Sequence, residues 1–299
     1  MSKQVKSTLI LLFCAFLWGS TFVAQSAGME YIEPFTYLCC RSVVGCAFLS
    51  VFMPLFDKMR KTDKAVLKQN HRKLMIAGLA CGVVLFTASA FQQFGICYTT
   101  VGKSGFITAM YILLVPVLGL FLRKKVPPIV WGCIGIAVVG LYLLCINEAL
   151  SINIGDFLTL ICAVCFSVHI LVIDHFDMVD GIRLSRMQFA VTAVLSAIAM
   201  FIFENPSWSA IVTCWGPILY AGILSSGVAY TMQIIGQQGA NPTVASIAMS
   251  MESVFSVLCG WLILNEGLSA RELIGCILMF AAIILCQIPI PSKKQTKNA

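Results

Sequence analysis

Ten apolar runs, each about 18–22 residues long and parted by short polar breaks, follow one another along the chain. At about 1.5 Å of rise per residue, a helix of that length crosses a hydrocarbon core roughly 30 Å thick. The pattern predicts spans at Ser7–Ala27, Pro34–Pro54, Leu74–Gly95, Ser104–Leu122 and from Pro127-Pro128 to Ile146. It predicts five more at Gly155–Ile173, Leu184–Phe203, Trp215–Ile235, Pro242–Leu264 and Arg271–Ile288. Prolines at 34, 128 and 242 suit first helical turns, where the missing N–H would have no partner anyway. The expected fold is an all-α integral membrane protein of ten transmembrane helices.

The stretch Ala90–Phe121 has a weaker copy at Ala229–Gly260. Without gaps, Ala90 falls on Ala229, Ser104 on Thr243 and Met110 on Met249. Both copies read apolar segment, short polar break, apolar segment rich in small residues. The chain therefore divides into two five-helix repeats, residues 1–150 and residues 151–299, the second ending in a basic tail. An odd number of helices per repeat makes the two halves inverted in the membrane, a plan that suits alternating access.

Composition agrees: 59% of the 299 residues are hydrophobic and 11% charged, too apolar for an ordinary soluble domain. The net charge of +7 does not imply a nucleic-acid partner, because its placement follows membrane topology. Basic residues collect in the first tail, the Asp57–Lys73 loop, Arg123-Lys124-Lys125, Arg183, Arg186 and the last tail. The opposite side keeps Lys103 and Arg271. The excess puts both termini in the cytoplasm and the protein in the cytoplasmic membrane. Most of the fourteen cysteines lie inside apolar runs, where cysteine acts as a small hydrophobe, and no disulfide framework is expected. The first span could pass for a cleaved signal peptide, but its counterpart at the start of the second half favours a retained helix.

Several segments together resemble the drug/metabolite transporter superfamily, specifically its EamA-type ten-helix branch. They are Phe16-Leu17-Trp18-Gly19-Ser20, Pro34 followed by Arg41, and Gln92 through Pro116-Val117. Glu252-Ser253-Val254-Phe255 through Gly260 to Asn265-Glu266, then Gly275, complete the match. Ser253 stands where a proline commonly follows the acidic residue of span nine. The resemblance implies a transporter of small organic solutes, not an enzyme, with spans one, three, four, six, eight and nine around a central cavity and spans five and ten outside. No cofactor or metal is implied, and no Walker-type phosphate loop occurs. The expected partners are a small-molecule substrate and the bilayer, with a homodimer allowed and no nucleic acid.

Ionisable and polar groups at bilayer depth are costly, so each is a candidate for function. Glu252, near the middle of span nine, could carry a proton. Arg41 could anchor a substrate carboxylate by paired hydrogen bonds. His169, with Cys162 and Cys165 on about one face, is read as substrate-facing more readily than as a metal ligand. Of Gln92 and Gln93, about 100° apart on a helix, at most one faces a cavity. Trp18, Tyr111 and Gln233 complete the expected substrate-binding set, with Glu252 also the proton-coupling residue. Small residues at Ser104-Gly105 and Thr243–Ser246 suggest close helix approach. The favoured function is export of amino acids or related solutes; the rivals are a lipid-linked sugar flippase, a nontransporting sensor and an intramembrane enzyme.

Overall fold

The computed structural model describes residues 3–60, 71–99, 101–124, 126–145, 153–177, 179–238, 240–264 and 269–286, and all regular structure among them is helical. In the first half, α1 (Lys3–Met29), α2 (Pro34–Arg60) and α3 (His71–Tyr98) are long and apolar. They precede α4 (Val101–Ala109), α5 (Tyr111–Phe121) and α6 (Pro128–Cys145). In the second half come α7 (Ile154–His175), α8 (Gly181–Phe203) and the short α9 (Trp208–Thr213). Then follow α10 (Trp215–Tyr220), a π-helical segment (Ala221–Ala229) and α11 (Tyr230–Gln237). The last are α12 (Pro242–Met249), α13 (Glu252–Leu264) and α14 (Ala270–Cys286).

Among the described residues, eight helical stretches are long and apolar enough to cross a membrane, and they coincide with expected spans one to four and six to nine. Spans five and ten correspond to α6 and α14, of 18 and 17 residues, which pack against each other beside the cluster of Ile134, Ala137, Leu141, Met279 and Ile283. Most of the long basic loop, Asn265-Glu266 of the closing motif and the basic C-terminal tail lie outside the described residues.

Neighbours pair in a regular way. The third span packs on the sixth, α3 against α7, while the eighth packs on the first, α10–α11 against α1. The fourth span meets the sixth and the ninth meets the first. Glycines permit several of these contacts. A Cβ on Gly45 of α2 would stand 2.6 Å from the Cβ of Ser226, and one on Gly222 would stand 2.6 Å from the Cβ of Val44. Without side chains there, helix backbones approach closely, and dispersion and packing hold them in an apolar solvent. Gly105 does not behave this way: nothing lies within 4 Å of its would-be Cβ, so close packing, expected at that position, is absent.

The side-by-side pair α2 and α8 is tied at both ends. At one, the Glu204 carboxylate just after α8 accepts from the backbone N–H groups of Phe35 and Thr36 and from the Thr36 hydroxyl, each at 2.7 Å. Those N–H groups open α2 and have no intrahelical acceptor, and a carboxylate also complements the positive end of the helix dipole. At the other end, Arg183 of α8 donates to both Asp57 oxygens of α2, at 2.9 and 2.7 Å, while its backbone N–H is capped by Asp180. Glu204→Ala removes three charge-assisted bonds from a buried site; at about 1.5–3 kcal/mol for a bond to a charged group, with losses not additive, we expect a cost of about 2–4 kcal/mol. Thermal unfolding of the detergent-solubilised protein checks this, and an unchanged midpoint would show that the tie contributes nothing.

Candidate functional site

Two of the long spans are not continuous. Span four breaks at Met110 between α4 and α5, and span nine breaks at Ser250-Met251 between α12 and α13. In α5, Pro116 lacks the N–H that would bond the Ile112 carbonyl and crowds the preceding turn; Met110 turns tightly, donating to the carbonyl three residues back at 3.1 Å. Ser246 of α12 and Ser250 just after it donate to the carbonyls of Thr243 and Ile247, both at 2.8 Å, the kind of back-bonding that bends helices. The second break therefore forms with Ser253, not a proline, after Glu252.

Aligned on their breaks, the first residues of the resumed helices are Tyr111 and Glu252, and they meet. The Tyr111 hydroxyl donates to Glu252 Oε1 at 2.9 Å, both side chains being buried. Gly19 of α1 makes room for this junction, since a Cβ there would stand 2.7 Å from the Glu252 carbonyl oxygen and 2.8 Å from the Ser256 nitrogen.

Around the junction lies a narrow cavity of about 40 Å³. One wall is α1, which contributes Trp18, Phe22 and Gln25, spaced so that all three fall on one face. From α7 come Phe166 and Ile170 at the same i, i+4 spacing. Arg41 comes from α2, Gln92 from α3, Thr108 and Tyr111 from the two sides of the first break, and Met249 and Glu252 from the two sides of the second. The π-helical segment and α11 supply Ser225, Tyr230 and Gln233. The wider π turn, in which the Tyr230 N–H reaches back to the Ser225 carbonyl, is a common local device at functional sites. Neither α6 nor α14 reaches the cavity.

Six of the seven residues singled out in the sequence line this cavity: Trp18, Arg41, Gln92, Tyr111, Gln233 and Glu252. His169 stands behind it. Its Nε2 pairs with Gln188 Oε1 at 3.1 Å, and its ring lies edge-on to Tyr230 with centroids 6.2 Å apart. Of the adjacent glutamines only Gln92 reaches the cavity; Gln93 Nε2 turns to the Met29 sulfur at 3.3 Å. Sequence reasoning missed Phe22, Gln25, Thr108, Phe166, Ile170, Ser225, Tyr230 and Met249. Helical spacing would have found several, since Phe22 and Gln25 follow Trp18 by four and seven, Thr108 precedes Tyr111 by three, and Tyr230 precedes Gln233 by three.

The polar groups of the cavity are unevenly satisfied. Arg41 Nη1 donates to Gln25 Oε1 at 3.1 Å, and among the described residues no carboxylate pairs with the guanidinium. Arg41 Nε, Trp18 Nε1, Thr108 Oγ1 and Gln233 Oε1 are buried without a hydrogen-bond partner. Such orphans are rare in native interiors and call for an explanation. Two donors, one acceptor and one hydroxyl, a fixed cation and a carboxyl group, all framed by aromatic rings, are groups able to hydrogen-bond a small polar guest.

The profile of the EamA-like transporter family matches residues 5–146 and again residues 153–287. An uncharacterized transporter of Archaeoglobus fulgidus is 27% identical over 291 residues, covering 96% of this chain and 88% of its own. The uncharacterized transporter YoaV of Bacillus subtilis is 23% identical over 293 residues, covering 94% and 97%. A solved crystal structure of a protein superposes with a TM-score of 0.76 over 95% of this chain and 96% of that one, at 19% identity, a likeness of fold.

Gly19 offers a test of the junction. Gly19→Ala drives a methyl group into the α13 backbone, and overpacking of that kind costs about 1–3 kcal/mol. Gly105→Ala, with open space beside it, should gain up to about 1 kcal/mol from reduced chain entropy. Thermal unfolding of the two variants should move in opposite directions; equal shifts would mean that α1 does not set the position of Glu252.

Proposed function

The chain belongs to the EamA-like transporter family, and we propose that it is a secondary transporter exporting amino acids or related small metabolites by alternating access around the buried cavity. The observation that carries this reading is the set of unpartnered buried atoms: Arg41 Nε, Trp18 Nε1, Thr108 Oγ1 and Gln233 Oε1. A zwitterionic solute would satisfy them, its carboxylate on Arg41 and the Trp18 N–H, its ammonium on Gln233 Oε1. Its side chain would lie among Phe22, Phe166 and Tyr230. His169 acts indirectly in this scheme, holding Gln188 behind the Tyr230 ring.

The transport cycle rests on two inverted five-helix repeats, residues 1–150 and 151–299, making ten spans with both termini in the cytoplasm. This is supported by the two successive family matches, by the paired helix contacts and by the basic residues gathered on one side. Both broken helices meet at the solute site. Irregular backbone at membrane depth is tolerated where it is buried in protein or lines a cavity, and breaks give a repeat a place to flex. Glu252 is the proton carrier of this scheme: it would take up a proton when open to one side and release it on the other, with the Tyr111 hydroxyl holding one oxygen throughout.

Flux into proteoliposomes of a pooled amino-acid and amine mixture, with and without a pH gradient, tests the proposal. Wild type should show gradient-driven flux, and Glu252→Gln should abolish the response to the gradient while leaving solute exchange. Arg41→Gln should raise the half-saturating concentration about ten-fold or more, the consequence of losing a charge-assisted hydrogen bond worth about 1.5–3 kcal/mol. Flux indifferent to the gradient and to Glu252→Gln would make the protein a facilitator with a structural glutamate. No flux for any amino acid or amine would overturn the substrate assignment.

A further inference from the structure

A second concavity lies on the membrane-facing wall of the bundle, apart from the central cavity. It is an apolar groove of about 530 Å³ where the ends of α5 and α7 meet α3. Leu118, Phe121 and Leu122 form one side, Val168 and Val172 the other, and Phe176 the end. Phe121 and Leu122 are strongly exposed, at 82% and 59%.

The polar end of the groove is basic. The chain leaves α5 through Arg123 and Lys124, while α3 begins with the exposed residues His71, Arg72 and Lys73. Lys124 is already paired with Asp174, and Asp177 lies within electrostatic range of it. Arg123 is exposed and, among the described residues, has no carboxylate partner. Its position is set by a tight helix stop: Arg123 N–H bonds the Leu120 carbonyl and Lys124 N–H bonds the Gly119 carbonyl, both at 2.9 Å. That pattern places the residue after the cap in the left-handed region, where glycine is usual. Arg123 occupies it at φ 58°, a conformation unfavourable for a residue with a Cβ. The chain thus carries a mildly strained arginine where glycine would fit better, and strain of this kind points toward a use for the side chain.

We propose that this groove binds one anionic phospholipid of the surrounding bilayer, an acyl chain lying along Leu118, Phe121, Val168 and Val172 and the headgroup phosphate on Arg123, with Arg72 and Lys73 adding to the field. A basic mouth on an apolar slot distinguishes an anionic from a zwitterionic lipid of the same chain length, because only the former adds net attraction to the same burial. The site is independent of the solute cavity and of what that cavity carries.

Native mass spectrometry of the full chain, with phosphatidylglycerol and phosphatidylcholine of identical acyl chains present in equal amounts, tests this. One phosphatidylglycerol should be retained in several-fold preference over phosphatidylcholine. Arg123→Gly should abolish the preference while leaving thermal unfolding in lipid-free detergent unchanged or raised, since glycine suits the backbone; loss of binding through misfolding is thereby separated from loss of the contact. Val168→Trp, which fills the slot, should also remove the bound lipid, whereas Lys6→Gln, an exposed basic residue on α1, should not. Equal retention of both lipids, or a preference surviving both groove variants, would overturn the proposal. A dimer that Val168→Trp dissociates would overturn it too, assigning the groove to a second copy of the chain.

Discussion

The hydrogen bond from Tyr111 to Glu252 joins the two places where long apolar helices fail to remain helical, and the rest of the bundle is arranged to make that junction affordable. A helix satisfies its own backbone groups, which is why it can cross a bilayer; a broken one leaves groups that lipid cannot satisfy. Both breaks are therefore enclosed. Gly19 lets α1 lie directly against the start of α13, α7 covers both α4 and α5, and Ser246 and Ser250 turn their hydroxyls onto local carbonyls.

The two halves of the chain use comparable scaffolding for unequal chemistry. In the first, Gln25 of α1 holds Arg41 of α2 at the cavity edge. In the second, His169 of α7 pairs with Gln188 of α8, behind Tyr230. The permanent cation therefore comes from the first half and the carboxyl group from the second, so the cavity is polar in a directed way although its walls, Trp18–Phe22 and Phe166–Ile170, repeat the same spacing. The ties between α2 and α8 at Glu204 and at Asp57–Arg183 hold the halves in register outside the cavity.

Much of the cavity lining was legible because burying a polar or charged group among apolar residues is expensive, so a glutamate, an arginine or a glutamine inside an apolar run stands out. Arg41, Gln92, Gln233 and Glu252 were found on that ground. Aromatic and small residues carry no such signal: Phe22, Phe166, Tyr230 and Met249 look like any membrane-helix residue until a neighbour fixes which face is inward. His169 shows the converse, a polar residue that stood out for its cost and lies outside the cavity lining, its Nε2 paired with Gln188 of another helix and its Nδ1 without a partner.

The sequence by itself determined the number and placement of apolar runs, their basic flanks and the division into similar halves, because bilayer thickness and the cost of charge act on each segment locally. Only the tertiary structure decided that spans four and nine break, that span eight widens into a π turn at Ser225, that Tyr111 faces Glu252, and that Gly19 supports the junction while Gly105 supports nothing. These depend on which helices touch. A helix in an apolar solvent gains little from burying one apolar face rather than another, so its inward face is chosen by close packing and hydrogen bonds to residues far away in the chain.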